Sequence, residues 1–358
     1  MNIIFIISRS IQVLLSNLIV LGSLPLFKII KNYSSQSDNI IWINIYGLKY
    51  FINSVIWDSS IINALVNNDK TFKIFLGRKI GAIHDKNIFY QPNMYFDPNN
   101  FNNYVQNIHS IINQLEMQGN KMFTSSKEVL HWENKKYMHE EFNRLNIPTP
   151  KSYIINHIND LSQVSLNYPI LLKYVHSYHS KGIYKMESFA ETTEFLQGYY
   201  KQHPNSTFIA QELINMRKDM RVILVGNEIV VHYWRINPSK EWKPTSTSYT
   251  SKVDFISFPE KWREYIIKQF LKLQISTGAF DITFRDDDLD NKPLFLEISS
   301  AYYPNPNIDT SNMKHSYGEL RRKLWNQYDY LYIKLVFEIM NKRIRLFYDN
   351  HLGQKNHG

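Results

Sequence analysis

The sequence predicts an α/β protein with α+β character in its second half: an N-terminal α/β domain, then a region of mixed and antiparallel sheets. Three observations carry this. Short apolar runs alternate with helical stripes from residue 1 to about residue 122. A Gly226-Asn227 pair separates two apolar runs, the mark of a tight hairpin and so of antiparallel pairing. Two further apolar runs, 278–284 and 293–298, flank the acidic turn Asp286-Asp287-Asp288-Leu289-Asp290, and each contains one embedded acid.

The chain has 358 residues, of which 44% are hydrophobic, enough for more than one core. It has no cysteine, which excludes disulfides, thiolate nucleophiles and cysteine zinc sites. The net charge of +9 is scattered, with no long basic run interleaved with aromatics, so nucleic acid is not an expected partner. Part of the excess suits nucleotide phosphates. A cytoplasmic setting is expected.

Taken in order, residues 3–7 read as a buried strand. The uncharged stretch 10–27 has the length of a membrane span, but Ile11, Leu14, Leu15 and Leu18 form one helical stripe with Gln12 and Ser16 off it. Strand, turn and amphipathic helix open an α/β domain, and no integral membrane span is expected. Further strands are expected at 40–45, 72–76 and 80–83, and helices at 11–21, 59–66 and 101–118. Residues 91–103, rich in Asn, Pro and Asp, form a loop. A charged helix over 133–145 ends at Ile147-Pro148. Strands follow at 152–155 and 169–174, then a polar loop to Gly182 and another strand. A helix over 190–200 precedes a strand at 207–211. The hairpin pairs 220–225 with 228–235, and 237–253 is a long polar loop. A helix over 260–276 leads into the acid-bearing strands, and a helical segment from 315 to about 348 closes the chain. The expected domains are 1–122, 123–214, 215–310 and a C-terminal helical segment 311–358.

Three features bear chemistry. Lys135 opens a helix and Lys173 closes an apolar strand, where an unneeded charge would be omitted or would snorkel to the surface. The loop from Ser177 to Gly182 can aim backbone N–H groups at phosphate oxygens, although no P-loop or dinucleotide fingerprint is present. Asp281 and Glu297 sit on strands expected to be neighbours. Two such acids repel unless a cation lies between them, and magnesium bridges carboxylates to phosphates. Pairing with a lysine or arginine is the alternative.

In order and spacing these pieces resemble the ATP-grasp superfamily, as in RimK-type glutamate ligases, glutathione synthetases and D-alanine–D-alanine ligases. Lys135 with Ile147-Pro148, PILLKYVHSYHSKGI, FIAQELINMRKDMRVILVGNEIVVHYWR, GAFDIT and LFLEIS carry the resemblance, over roughly residues 123 to 310. It implies a pre-ATP-grasp α/β domain followed by a two-lobed ATP-grasp domain, using ATP and Mg2+, with Mn2+ an alternative. Lys135, Lys173, Ser180 and Gly182 would hold phosphates. Gln211, Glu212 and Leu213 would meet adenine, and Asp219 the ribose. Asp281, Glu297 and Ser299 would hold the metal, and Arg221 and Arg235 would steady the transferring phosphoryl group. The sequence departs from the family at Ser299, where asparagine is usual; Asn305 is an alternative ligand. The arginine that D-alanine ligases keep just before the first acid is absent, with Ala279 in its place.

The resemblance implies an ATP-dependent carboxylate–amine ligase working through an acyl-phosphate. Its substrates would be a small-molecule, glycan or peptide carboxylate and an amine. Substrate recognition is expected partly at Ser8, Arg9 and Ser10, or else around Arg78 and Tyr302. A phosphotransferase acting on a hydroxyl and a nucleotide-binding scaffold without turnover are the other readings. The C-terminal helix serves packing or a homodimer.

Overall fold

The computed structural model describes residues 14–43, 54–77, 80–92, 104–132, 134–175, 182–239, 242–247, 251–308 and 315–353. The expected strand at 3–7, Ser8, Arg9, Ser10, Arg78 and Ser180 lie outside the described residues. The chain is an α/β protein of two compact units. One comprises Met1–Val129, Tyr303–Ile308 and Leu324–Gly358; the other comprises Leu130–Tyr302 and Asp309–Lys323.

The first unit holds a parallel sheet in the order β2-β1-β3-β4, with β1 Asn39–Ile43, β2 Lys73–Leu76, β3 Asn87–Phe89 and β4 Lys121–Phe123. Every residue of β1 is buried, as the run Asn-Ile-Ile-Trp-Ile suits a central strand covered on both faces. Helices α1 (Leu14–Ser23), α2 (Leu26–Asn32), α3 (Val55–Asn67) and α4 (Tyr104–Met117) precede β4, and α5 (Ser126–Leu130) follows it. The expected strand at 80–83 does not form, and the next strand is β3. The sheet order requires the chain to cross β1 between β2 and β3, and residues 80–86 make that crossing. Asn120 holds it, donating to the Ile83 carbonyl and accepting from the Lys86 N–H.

The second unit opens with α6 (Lys135–Arg144), capped by the Asn134 side chain accepting from the Tyr137 N–H. Asn146, at φ 51, turns the chain out of the helix ahead of Pro148. An antiparallel sheet in the order β5-β8-β6-β7 follows, from β5 Ser152–Ile155, β6 Ile170–Tyr174, β7 Ile183–Met186 and β8 Phe208–Glu212, with α7 (Phe189–Gln202) between β7 and β8. A second antiparallel sheet runs β11-β10-β9-β12-β13. Its strands are β9 Lys218–Val225, β10 Glu228–Ile236, β11 Lys252–Asp254, β12 Thr277–Thr283 and β13 Leu294–Ser299, and α8 (Arg263–Lys272) precedes β12. Strand β11 overlaps the last two residues of the stretch 237–253 expected to be loop.

One face of this second sheet is apolar. Met220, Val222, Leu224, Phe280, Ile282, Phe295 and Ile298 pack there on Met138 and Phe142 of α6 and on Ile266 and Phe270 of α8. The other face carries the charged residues of the site. Helix α9 (Tyr317–Lys323) belongs to the second unit. The last helix, α10 (Trp325–Gly353), packs within the first unit, where Val336, Met340 and Ile344 join the core formed by Ile61 and Leu65 of α3. The segment after residue 311, read from sequence as separate, is thus divided between the two units. No single helix among the described residues is long and apolar enough to cross a membrane.

Candidate active site

In an antiparallel ladder, directly opposed residues point to the same face. Asp281 is opposed by Arg221 on one side and Glu297 on the other, and Asp219 is opposed by Arg235. The five charged side chains therefore share one face of the second sheet. A bulge in β13 makes this possible. Ile282 faces Phe295 and Asp281 faces Glu297, so Leu296 is the extra residue. Without that shift Phe295 and Glu297, two apart, would share a face; with it, Phe295 enters the core and Glu297 the site.

Arg221 grips Asp281 as a fork, Nε to Oδ1 and Nη2 to Oδ2, both at 2.8 Å. Arg235 makes the same fork on Asp219, with its Nε 2.9 Å from Oδ1, and its Nη2 also reaches Asp281 Oδ2 at 2.9 Å. Asp219, Arg235 and Asp281 are almost wholly buried. Burial opposes ionisation of Asp281, yet Arg221 and Arg235 together outweigh it and hold the carboxyl well below the usual range. For Asp219 the balance tips the other way. Burial pushes it up despite Arg235, and the neighbouring Asp281 adds to the rise.

Two lysines complete the cluster. The Lys135 N–H donates to the Val175 carbonyl just past β6, and its Nζ lies 3.7 Å from Glu297 Oε1. Lys173 stands on β6 opposite Ile183 and Ile209. Burial lowers its pKa to about 8; Glu297 works against the fall and Lys135 adds to it. Lys135, Lys173, Arg221, Arg235, Asp281 and Glu297 thus meet in one electrostatic cluster within one unit.

The remaining expected residues lie at these places. Gln211 shares the Lys173 face of the small sheet, is buried, and donates from Nε2 to Ser152 Oγ at 2.9 Å. Glu212 ends β8, and its Oε1 accepts from the Lys151 N–H and from Arg285. Leu213 follows, half-buried. Gly182 has φ 71, which glycine adopts without strain, and its carbonyl accepts from the Tyr174 N–H. Ser299 Oγ donates to the Ala301 carbonyl at 2.6 Å. Asn305 belongs to the first unit, where Tyr328 donates to it. Tyr302 is buried, with its hydroxyl 2.5 Å from Thr277 Oγ1.

Two roles escape sequence reasoning. His139, one turn after Lys135 on α6, is 2% exposed, and neither ring nitrogen has a hydrogen-bond partner. Burial, with Lys173 and Lys135 nearby, lowers its pKa to about 3, so it packs as a neutral ring beneath the two lysines. Its spacing from Lys135 was the available signal. The acidic turn is structural. Asp287 accepts from the Arg217 and Lys218 N–H groups, and Asp286 from Asn215, fixing the segment that leads into β9.

A divalent ion is the implied cofactor, and the chemistry of the donor set decides whether it fits. No group of three or more acidic, histidine or cysteine side chains suited to a metal occurs among the described residues. Magnesium does not need one, since phosphates and water supply most of its ligands. A carboxylate offers about four lone-pair sites, and the arginines use three on Asp281, leaving one on Oδ1. The Glu297 side chain is 33% exposed. The residues therefore fit an ion held mainly by nucleotide phosphates.

A family model described as a RimK-like ATP-grasp domain matches residues 132–314, just over half of the chain. The alpha-aminoadipate–LysW ligase LysX of Saccharolobus solfataricus is 27% identical over 163 residues, 43% of this chain and 57% of that protein. The chain thus spans little more than half the length of this curated relative. Among solved structures, D-alanine–D-alanine ligase from Bacillus anthracis superposes with a TM-score of 0.53 at 11% identity, over 87% of this chain and 99% of that one. A RimK-domain ATP-grasp protein from Sphaerobacter thermophilus gives 0.50 at 8% identity, over 84% and 99%. The superpositions speak for the fold, and the family match covers the segment that carries the charged cluster. The chain belongs to the RimK-like ATP-grasp family.

Proposed function

We propose that the protein is an ATP-dependent ligase that joins a carboxylate to an amine through an acyl-phosphate. The observation that carries this reading is the convergence of two lysines and two arginines on the Asp281–Glu297 strand pair. In the proposed reaction the substrate carboxylate oxygen attacks the γ-phosphorus of ATP and ADP leaves. The amine then attacks the acyl carbon, and phosphate leaves with its bonding electrons as the amine gives up a proton. Phosphoryl transfer of this kind depends on charge neutralisation and placement.

Each residue has a part in that scheme. Lys135 and Lys173 neutralise nucleotide phosphates. Arg235 and Arg221 steady the transferring group, and Asp219 both holds Arg235 in place through the fork and meets the ribose hydroxyls with the acceptor sites that the fork leaves. Backbone groups of Glu212 and Leu213 face adenine. Glu297 and Asp281 would hold magnesium, which would screen the phosphate charge. Ser180 and Gly182 close over the phosphates, which keeps water from the acyl-phosphate.

The arginine contacts on Asp281 also favour a second reading, a nucleotide-binding scaffold without turnover, because together they leave the first acid one open site. The test is ADP release with a panel of carboxylates and amines, with product mass recorded and hydroxylamine added in parallel. Acyl hydroxamate and a coupled product support the ligase. ADP release with a phosphorylated hydroxyl product identifies a phosphotransferase, and binding without ADP release identifies a scaffold.

A further inference from the structure

Eight of the seventeen exposed large apolar side chains among the described residues fall in the short stretch from Leu15 to Tyr33. The others are spread over the remainder of the chain. Such a concentration marks an interaction surface rather than ordinary surface composition.

The geometry is that of two amphipathic helices with their outer faces bare. On α1, Val20 is 1% exposed and enters the core of the first unit, Asn17 is buried, as is Leu24 just past the helix, and Ser16 donates to Asp329. At about 100° per residue, Leu15, Leu18 and Ile19 form the opposite face, and they are 50%, 54% and 68% exposed. On α2, Ile29 packs on the same core while Leu26, Phe27 and Ile30 point out, with Phe27 82% and Ile30 75% exposed. The helices meet at a 64° bend. With seven residues α2 is only about 10 Å long, so the pair has the form of a surface element, not a span.

Charge selects the occupant. The exposed Lys28 and Lys31 lie on α2 beside the apolar residues, and no Asp or Glu precedes Asp38 in the chain. Two copies meeting through this face about a two-fold axis would bring four ammonium groups together. A surface of anionic lipid headgroups accepts the lysines while its acyl boundary accepts Phe27 and Ile30. We propose that α1 and α2 seat the protein on an anionic membrane surface, with Leu15, Leu18, Ile19, Leu26, Phe27 and Ile30 entering the acyl boundary and Lys28 and Lys31 meeting headgroups. This inference does not depend on the reaction proposed above.

The full chain is tested by co-sedimentation with phosphatidylcholine vesicles, with and without phosphatidylglycerol, over a salt series. Binding should require the anionic lipid and weaken as salt rises. The double variant Phe27→Ser/Ile30→Ser should bind at least about tenfold more weakly, and Lys28→Glu/Lys31→Glu should lose the preference for anionic lipid. Both pairs are exposed, so melting temperature should not change. Absence of vesicle binding at low salt overturns the proposal, as does undiminished binding by Phe27→Ser/Ile30→Ser. A concentration-dependent dimer that this double variant dissolves also overturns it and assigns the face to a second copy.

Discussion

Lys173 has a pKa near 8 against its ordinary 10.5, because burial outweighs the help of Glu297. Between those values the unfolded chain holds more protons than the folded one, so this group's contribution to stability rises with pH across the window. In the proposed site, phosphate binding would reverse the preference, since the nucleotide's charge favours the ammonium form. Nucleotide binding at pH 8 should therefore take up about half a proton at this site, seen as a buffer-dependent calorimetric enthalpy. Lys173→Met should remove that uptake; an unchanged uptake would assign it elsewhere. Asp281 behaves in the opposite sense. Its carboxyl is held well below the usual range by Arg221 and Arg235, so its contribution is full above the ordinary carboxylate pKa and is lost as pH falls toward the folded value. Asp281→Asn leaves two guanidinium groups short of an anion and should cost about 3–5 kcal/mol in urea unfolding as well as abolish turnover. Turnover lost with unchanged stability would show that the arginine forks count for little. Arg235→Lys loses one fork and the bond to Asp281, and should lower the rate more than it weakens ATP binding. A pure loss of affinity would place Arg235 in binding instead.

At the scale of elements, Gly278 sets how closely β12 approaches its covering helix. A Cβ there would lie 2.7 Å from Ile298 Cδ1 and 3.1 Å from Phe270 Cε2. Gly278→Ala should destabilise by about 1–3 kcal/mol through overpacking, read as a lower urea midpoint at constant slope. A stabilised variant would mean that the two side chains yield freely. The same strands show what the sequence discloses. Asp281 and Glu297 were legible because a charge within an apolar strand is conspicuous, and the Gly226-Asn227 turn fixed the neighbouring hairpin. The partners of Asp281 were not, since Arg221 is 60 residues away in sequence and meets it only through the β9–β12 register. The Leu296 bulge has no sequence mark, and counting by twos puts Phe295 and Glu297 on one face. Strands β3 and β4 have three residues each, too few to show alternation. The apolar run at 80–83 resembled a strand but is spent on the crossing to β3.

For the whole molecule, the two units predict two separable responses to damage. The first unit depends on the far end of the chain, because Val336, Met340 and Ile344 of α10 are fully buried in the core built on α3 and the parallel sheet. That dependence joins residues more than 250 apart in sequence, a connection no local pattern reveals. The charged cluster draws its members from α6, β6 and the β9–β13 sheet, all in the second unit. Met340→Asp buries an unpaired carboxylate and should cost the first unit more than about 3 kcal/mol. Hydrogen exchange should then speed up in β1, where every residue is buried in the intact protein, while β9 and β12 keep their protection. Nucleotide binding to the second unit should survive within about a factor of three. If protection falls together in both sheets, the chain unfolds as one cooperative block, and the first unit's core must then be counted among the supports of the charged cluster.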